Sequence, residues 1–86
     1  MQSSIIGKIE KARRYAEEPG RAKFIEFSVN FRGDDSTYVT GFSEGKWHCT
    51  CEFFHRWGMC SHTMAMEKIL GEMLPEEAIT GVLVRT

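Results

Sequence analysis

Lys46-Trp47-His48-Cys49-Thr50-Cys51, then the eight residues Glu52 to Met59, then Cys60-Ser61-His62: the reading of this stretch decides the fold. It places three cysteines and a histidine as two close pairs on either side of a short loop, Cys-X-Cys-X8-Cys-X-His. These are all the cysteines of the chain, and an odd number cannot all pair. A bridge between Cys49 and Cys51 would close a very tight, strained ring. Disulfides therefore do not explain the pattern. Three thiolates and one imidazole are donors that Zn2+ prefers, and two near pairs are how a short chain brings four of them to one point.

The spacing has a physical reading on each side. In an extended segment alternate side chains share a face, so Cys49 and Cys51 can both reach one ion while Thr50 points away. Residues i and i+2 diverge within a helix. Cys60 is therefore expected just before a first helical turn, with His62 inside it and Ser61 as the N-cap. A thiolate there lies beside the positive end of the helix. Four protein donors leave no position for water or substrate, which marks a structural rather than a catalytic metal. His48 is expected to face away from the ion and His55 to face solvent from the loop, although His55 is near enough in sequence to replace a ligand. Buried free thiols and a core histidine are the alternative, and the pairing argues against it.

Outward from the site, Lys46 to Cys49 reads as the third strand of a meander. Ile25, Phe27, Val29 and Phe31 alternate with polar residues as a half-buried strand, Arg32 to Ser36 is a turn, and Thr37 to Phe42 is the return strand. Ser43-Glu44-Gly45 turns into the third. Toward the N-terminus, Ser3 or Ser4 can cap a helix over about 4–18, whose stripe of Ile5, Ile9, Ala12 and Ala16 is expected to be buried, with Pro19-Gly20 ending it. Beyond the site, Ser61 to about Met73 reads as a helix with His62, Ala65, Met66, Ile69 and Met73 on one face. Met59, Met64, Met66 and Met73 read as core filler. Pro75-Glu76-Glu77 opens a short helix with proline first, and Val82-Leu83-Val84 is an edge strand, a covering segment or a partner contact. The expected fold is α+β: N-terminal helix, three-stranded antiparallel meander, zinc site, C-terminal helix.

Eighty-six residues hold one core, so residues 1–86 form a single domain. An apolar fraction of 42% with 27% charged residues excludes a disordered tail. No apolar run approaches the ~20 residues that cross a bilayer, and the start lacks signal-peptide character. The expected setting is cytoplasmic, without membrane partners. A net charge of −1 supplies no global attraction to nucleic acid. Residues 1–23, however, carry six basic groups against three acidic.

At Cys49, Cys51, Cys60 and His62 the sequence resembles the SWIM zinc-finger family, whose signature is Cys-X-Cys, a variable spacer and Cys-X-His after short strands and before a helix. The resemblance covers about residues 36–70. It implies a compact ββα unit that binds DNA or a protein. Such units occur in helicase-like ATPases, transposase-type proteins, ubiquitin-pathway proteins and recombination mediators, and this chain contains no such catalytic region.

The stretch Glu52 to Met59 mixes Phe53, Phe54 and Trp57 with Arg56 and His55, a combination that stacks on bases and meets phosphate. The competing use of those aromatics is to roof the metal. Arg56 and Trp57 with Lys46, Lys8, Lys11 and Arg14 make the best nucleic-acid patch the sequence offers, and scattered solvated charges are its plain alternative. The expected function is a zinc-stapled module that contacts nucleic acid; the alternative is an adaptor for a larger ATPase or recombination factor. No carboxylate pair, Gly-rich phosphate loop or nucleophile motif points to an enzyme or a small-molecule substrate.

Overall fold

Three strands form the centre of the molecule: β1 (Phe27–Arg32), β2 (Thr37–Ser43) and β3 (Lys46–Cys49), antiparallel in the order β1-β2-β3. The computed structural model describes residues 2–80. Helix α1 (Gln2–Ala16) precedes the sheet, and α2 (Glu52–Trp57) and α3 (Ser61–Leu70) follow it. Single 3-10 turns lie at Pro19–Arg21, Gly71–Met73 and Glu76–Ala78. The α+β arrangement is that expected from the sequence.

The alternation of β1 appears as alternating half-buried and exposed residues from Phe27 to Arg32. Ile25 falls outside the strand and is 83% exposed, so the pattern begins one repeat later than its apolar residues suggest. The β2–β3 connection is a two-residue turn in which Glu44 and Gly45 both have positive φ, 53° and 76°. That is the backbone of a type I′ turn, whose twist matches the strands it joins. It sets the register that pairs Thr40 with Cys49 and Gly41 with His48.

Two small clusters make the core. Phe42, Leu74 and Ala78 are buried, with Phe27, Trp47 and Leu70 packed around them. The Trp47 indole N–H donates to the Ala78 carbonyl at 2.8 Å, tying the final turn to β3. The Lys23 ammonium donates to the Glu72 carbonyl and the Phe24 N–H to the Met73 carbonyl, closing the approach to β1 against the end of α3. The second cluster is Cys49, Cys51 and Cys60, with Tyr38 and Phe54 against it.

Several expectations are corrected. The stripe of α1 is not buried: every described residue from Ser4 to Ala16 is exposed, and α1 leans chiefly on the Pro19–Arg21 turn. The radius of gyration, 16.5 Å, exceeds the ~12 Å of a compact chain this long because α1 stands off from the sheet. The helix starts at Gln2, so Ser3 and Ser4 lie in its first turn rather than capping it.

Residues 52–57, expected as loop, form α2, with Gly58 closing it in the left-handed conformation at φ 76°. The buried face of α3 is displaced by about one residue from the expected one. Thr63, Met66 and Glu67 are buried and Ile69 is 66% exposed. Glu67 is tolerated inside because its carboxylate accepts from the Thr80 N–H at 3.0 Å and the Thr80 hydroxyl at 2.8 Å. Of the methionines expected in the core, only Met66 is buried. Pro75 sits at the N-cap of its 3-10 turn, one position before the expected place. Val82-Leu83-Val84 lies outside the described residues.

Candidate metal centre

β3 delivers Cys49 on its last residue, and the chain stays extended through Cys51, which forms the N-cap of α2 at φ −74°, ψ 155°. The two thiols therefore reach one side while Thr50 is exposed, as the alternation requires. Thr50 is used structurally: its hydroxyl accepts from the Val39 N–H at 3.1 Å, and its own N–H donates to the Val39 carbonyl at 3.1 Å. These bonds pin the departing strand to β2.

Cys60, rather than Ser61, is the N-cap of α3, at φ −158°, ψ 174°. Its N–H donates to the Thr63 hydroxyl at 3.1 Å, and that hydroxyl donates to the Cys60 carbonyl at 3.0 Å. The Thr63 side chain thus does part of the capping that Ser61 was expected to do. With Cys60 held at the helix start, His62 in the first turn swings over the sulfurs.

Cys49, Cys51, Cys60 and His62 form a cluster able to hold a metal ion, with their donor atoms all within 4.8 Å of one another. His62 Nδ1 lies 3.6 Å from Cys49 Sγ and 3.7 Å from Cys60 Sγ. Donors around a tetrahedral ion, at ~2.3 Å for sulfur and ~2.0–2.1 Å for nitrogen, stand roughly 3.5–3.8 Å apart, so the residues present fit such an ion. His48 and His55 are not in the cluster; His48 packs against Gly41 on β2, and His55 is exposed on α2.

The structure adds a surrounding shell that residue spacing did not reveal. The ring of His62 packs on Phe31, at 5.0 Å, and on Tyr38, at 4.6 Å. Its far nitrogen, Nε2, faces the β1–β2 turn, where a Cβ on Gly33 would come within 3.2 Å of it. Lacking a Cβ, Gly33 leaves room for that edge of the ring against the turn. The fully buried Thr40 hydroxyl sits 3.3 Å from Cys49 Sγ. Thr40 was identifiable from the Glu44-Gly45 turn, since a two-residue turn there pairs it with Cys49.

Electrostatics differ across the cluster. Burial works to raise the Cys49 thiol, but hydrogen bonds from the Thr40 hydroxyl, the Cys51 N–H, His62 and Cys60 outweigh it and bring the group down to about 7. Cys60 is pushed up to about 11, first by burial, against the Thr63 N–H that favours its thiolate, and further by its neighbours Cys51 and Cys49. Metal binding must displace these protons. Apparent affinity is therefore expected to rise about tenfold or more per pH unit above pH 7, through Cys60, and more steeply below pH 7, where Cys49 also releases a proton. Competition against a chromophoric chelator from pH 6 to 9 reads this slope. A flat profile contradicts thiolate ligation.

The residues expected to contact a partner are all exposed: Lys46 at the start of β3, Arg56 and Trp57 on α2, and Lys8, Lys11 and Arg14 on α1. Arg56 and Trp57 lie on the segment that runs between the two ligand pairs. Phe54 packs on the thiol cluster as a roof, but Phe53 and Trp57 do not, being 57% and 64% exposed. Among the described residues no helix is long and apolar enough to cross a membrane. The fold and site together define a small α+β domain with a Cys3His cluster able to hold a metal. No family model, curated protein or solved structure matches the chain.

Proposed function

We propose that the chain is a zinc-stapled interaction module of the SWIM type, which binds single-stranded nucleic acid through α2. Zinc is the ion that suits three thiolates and an imidazole in a closed, four-donor site, and with its shell filled by protein it serves the fold rather than a reaction. The order strand, strand, ligand pair, ligand pair, helix is that of the resembled family.

One observation carries the nucleic-acid reading. Phe53 and Trp57 stand in solvent as neighbours, with ring centroids 6.2 Å apart and planes 37° apart, and Arg56 is beside them in sequence on the same exposed helix. A small domain with few core residues leaves two large aromatics outside, next to a cation. That is how sequence-tolerant single-strand binders stack bases and meet phosphate. Lys46, Lys8, Lys11 and Arg14 add positive charge on other exposed surfaces.

The test is fluorescence anisotropy of labelled single-stranded and duplex oligonucleotides with the metal-loaded protein at low salt. Trp57→Ala is expected to weaken single-strand binding by roughly 5- to 150-fold, the equivalent of one stacked base at ~1–3 kcal/mol. Arg56→Ala is expected to weaken it and lower the salt slope by about 0.7. Absence of binding at low salt by protein of full metal content overturns the reading.

A further inference from the structure

We propose that Cys51 and Cys60 form a peroxide-sensitive pair whose oxidation to a disulfide releases the metal. The proposal rests on zinc occupying the four-donor site and not on the nucleic-acid reading.

Three observations single out this pair. First, a cavity of about 470 Å³ opens beside the cluster, lined by Cys51, Cys60 and His62, with Ser61 and Met64 among its other walls. Cys49 does not line it. One ion fills little of that volume, and a peroxide molecule needs not much more than the ~30 Å³ of a water, so it has room beside the loaded site. Second, Cys49 is sequestered at the end of β3, where the buried Thr40 hydroxyl sits 3.3 Å from its sulfur. Third, the sulfurs lie within 4.8 Å of one another, so side-chain rotation brings Cys60 into bonding contact with Cys51. A bridge between Cys49 and Cys51, two residues apart on extended backbone, would instead close a strained ring. Access selects Cys51 as the attacking sulfur, and geometry selects Cys60 as its partner.

The chemistry balances with hydrogen peroxide as the oxidant. Cys51 Sγ attacks one peroxide oxygen: an S–O bond forms, the O–O bond breaks and hydroxide leaves. Cys60 Sγ then attacks the Cys51 sulfur, and an S–S bond forms as the S–O bond breaks and a second hydroxide leaves. The two thiolates give up two electrons, and the two peroxide oxygens take them. Cys49 and His62, the two donors left, are too few to retain the ion. The new bridge encloses residues 52–59, which include all of α2, and joins the N-caps of α2 and α3. A bridge across so short a loop stabilises far less than the metal it displaces. Oxidation therefore loosens the joint between the sheet and the C-terminal half, and a thiol reductant with Zn2+ restores it.

The test starts from reduced chain loaded with one Zn2+, its metal content confirmed by native mass spectrometry. Excess hydrogen peroxide is added while a chromophoric chelator reports released zinc against a peroxide-free blank. Remaining thiols are then alkylated, and the bridge is mapped by peptide fragmentation. The expected result is one Zn2+ released per disulfide formed, a Cys51–Cys60 bridge, a single alkylated thiol at Cys49, and full recovery of bound metal with dithiothreitol and Zn2+. Ser61→Phe, which narrows the cavity from an exposed position outside the cluster, is expected to slow release by about tenfold at unchanged metal content.

Zinc retained while the exposed Met59 is converted to its sulfoxide overturns the proposal. So does a bridge to Cys49, sulfinic or sulfonic acid without a bridge, or a release rate that Ser61→Phe leaves unchanged. A chain that never takes up zinc fails at the loading step, before peroxide is added, and overturns the metal reading together with this inference.

Discussion

Stripping the metal with a chelator at neutral pH is expected to abolish cooperative unfolding of the domain, and restoring Zn2+ is expected to recover it. The reason is the composition of the interior. Among the described residues the buried apolar side chains are Phe42, Cys49, Cys51, Cys60, Met66, Leu74 and Ala78, and three of these seven belong to the cluster able to hold a metal. Without an ion, Phe42, Leu74 and Ala78 with their half-buried neighbours must hold the sheet to the C-terminal half alone. Structural zinc in small peptides contributes an apparent ~10–16 kcal/mol near pH 7, against a total stability of about 5–15 kcal/mol for a domain. Removing the ion therefore takes away a contribution comparable to the whole stability of the domain. Cys60→Ser is expected to behave like the chelated protein, because Cys60 is both a member of the cluster able to hold the ion and the N-cap of α3. Circular dichroism and the dispersion of amide NMR signals measure the outcome. A chelated chain that keeps a sharp, reversible melt near the original midpoint contradicts the coupling of metal to fold.

Gly41→Ala is expected to lower the stability of the metal-loaded protein by about 3 kcal/mol, the upper end of overpacking costs, or roughly 12–24 °C in midpoint for a domain of this size. Gly41 is buried on the central strand, opposite Ser28 on one side and His48 on the other. A Cβ there falls 2.1 Å from the Phe27 carbonyl oxygen and 2.7 Å from His48 Nε2. The imidazole can swing aside, but the carbonyl belongs to the strand. Relief must come from opening the β1–β2 pairing, which carries Phe27 away from Phe42 and from Trp47, whose ring Phe27 now meets edge-on at 5.7 Å. His48→Ala in the same chain should not rescue the loss. A midpoint within 2 °C of the parent shows that the strands shift freely and contradicts the tight packing described for this register.

What was legible in the sequence follows from how local its cause is. Cys49 and Cys51 share a side because extended backbone alternates, and His62 reaches the sulfurs because Cys60 precedes the helix; both facts are contained within three residues. β1 was legible from Phe27 onward for the same reason. Helix α2 was not, because Cys51 is an unusual cap and the segment is short. Its one clear signal was Gly58, which supplies the left-handed residue that ends a helix.

The burial of Glu67 depends on Thr80, thirteen residues away, and no periodicity reports such a bond. The error on α1 is of another kind. Amphipathic spacing says that a face needs covering, and it does not say by what. Around the cluster, Thr40 follows from the two-residue Glu44-Gly45 turn that pairs it with Cys49, but Tyr38, Phe31 and Gly33 come to His62 only through the β1–β2 pairing and its turn, so the four candidate donors were legible while most of the groups around them were not.

X-ray absorption at the zinc K-edge of protein loaded with one Zn2+ per chain tests the central claim most directly. The account predicts one ion with three sulfur neighbours at about 2.3 Å and one nitrogen at about 2.0–2.1 Å. An oxygen shell, fewer than three sulfurs, or folded protein that retains well under one metal per chain contradicts it.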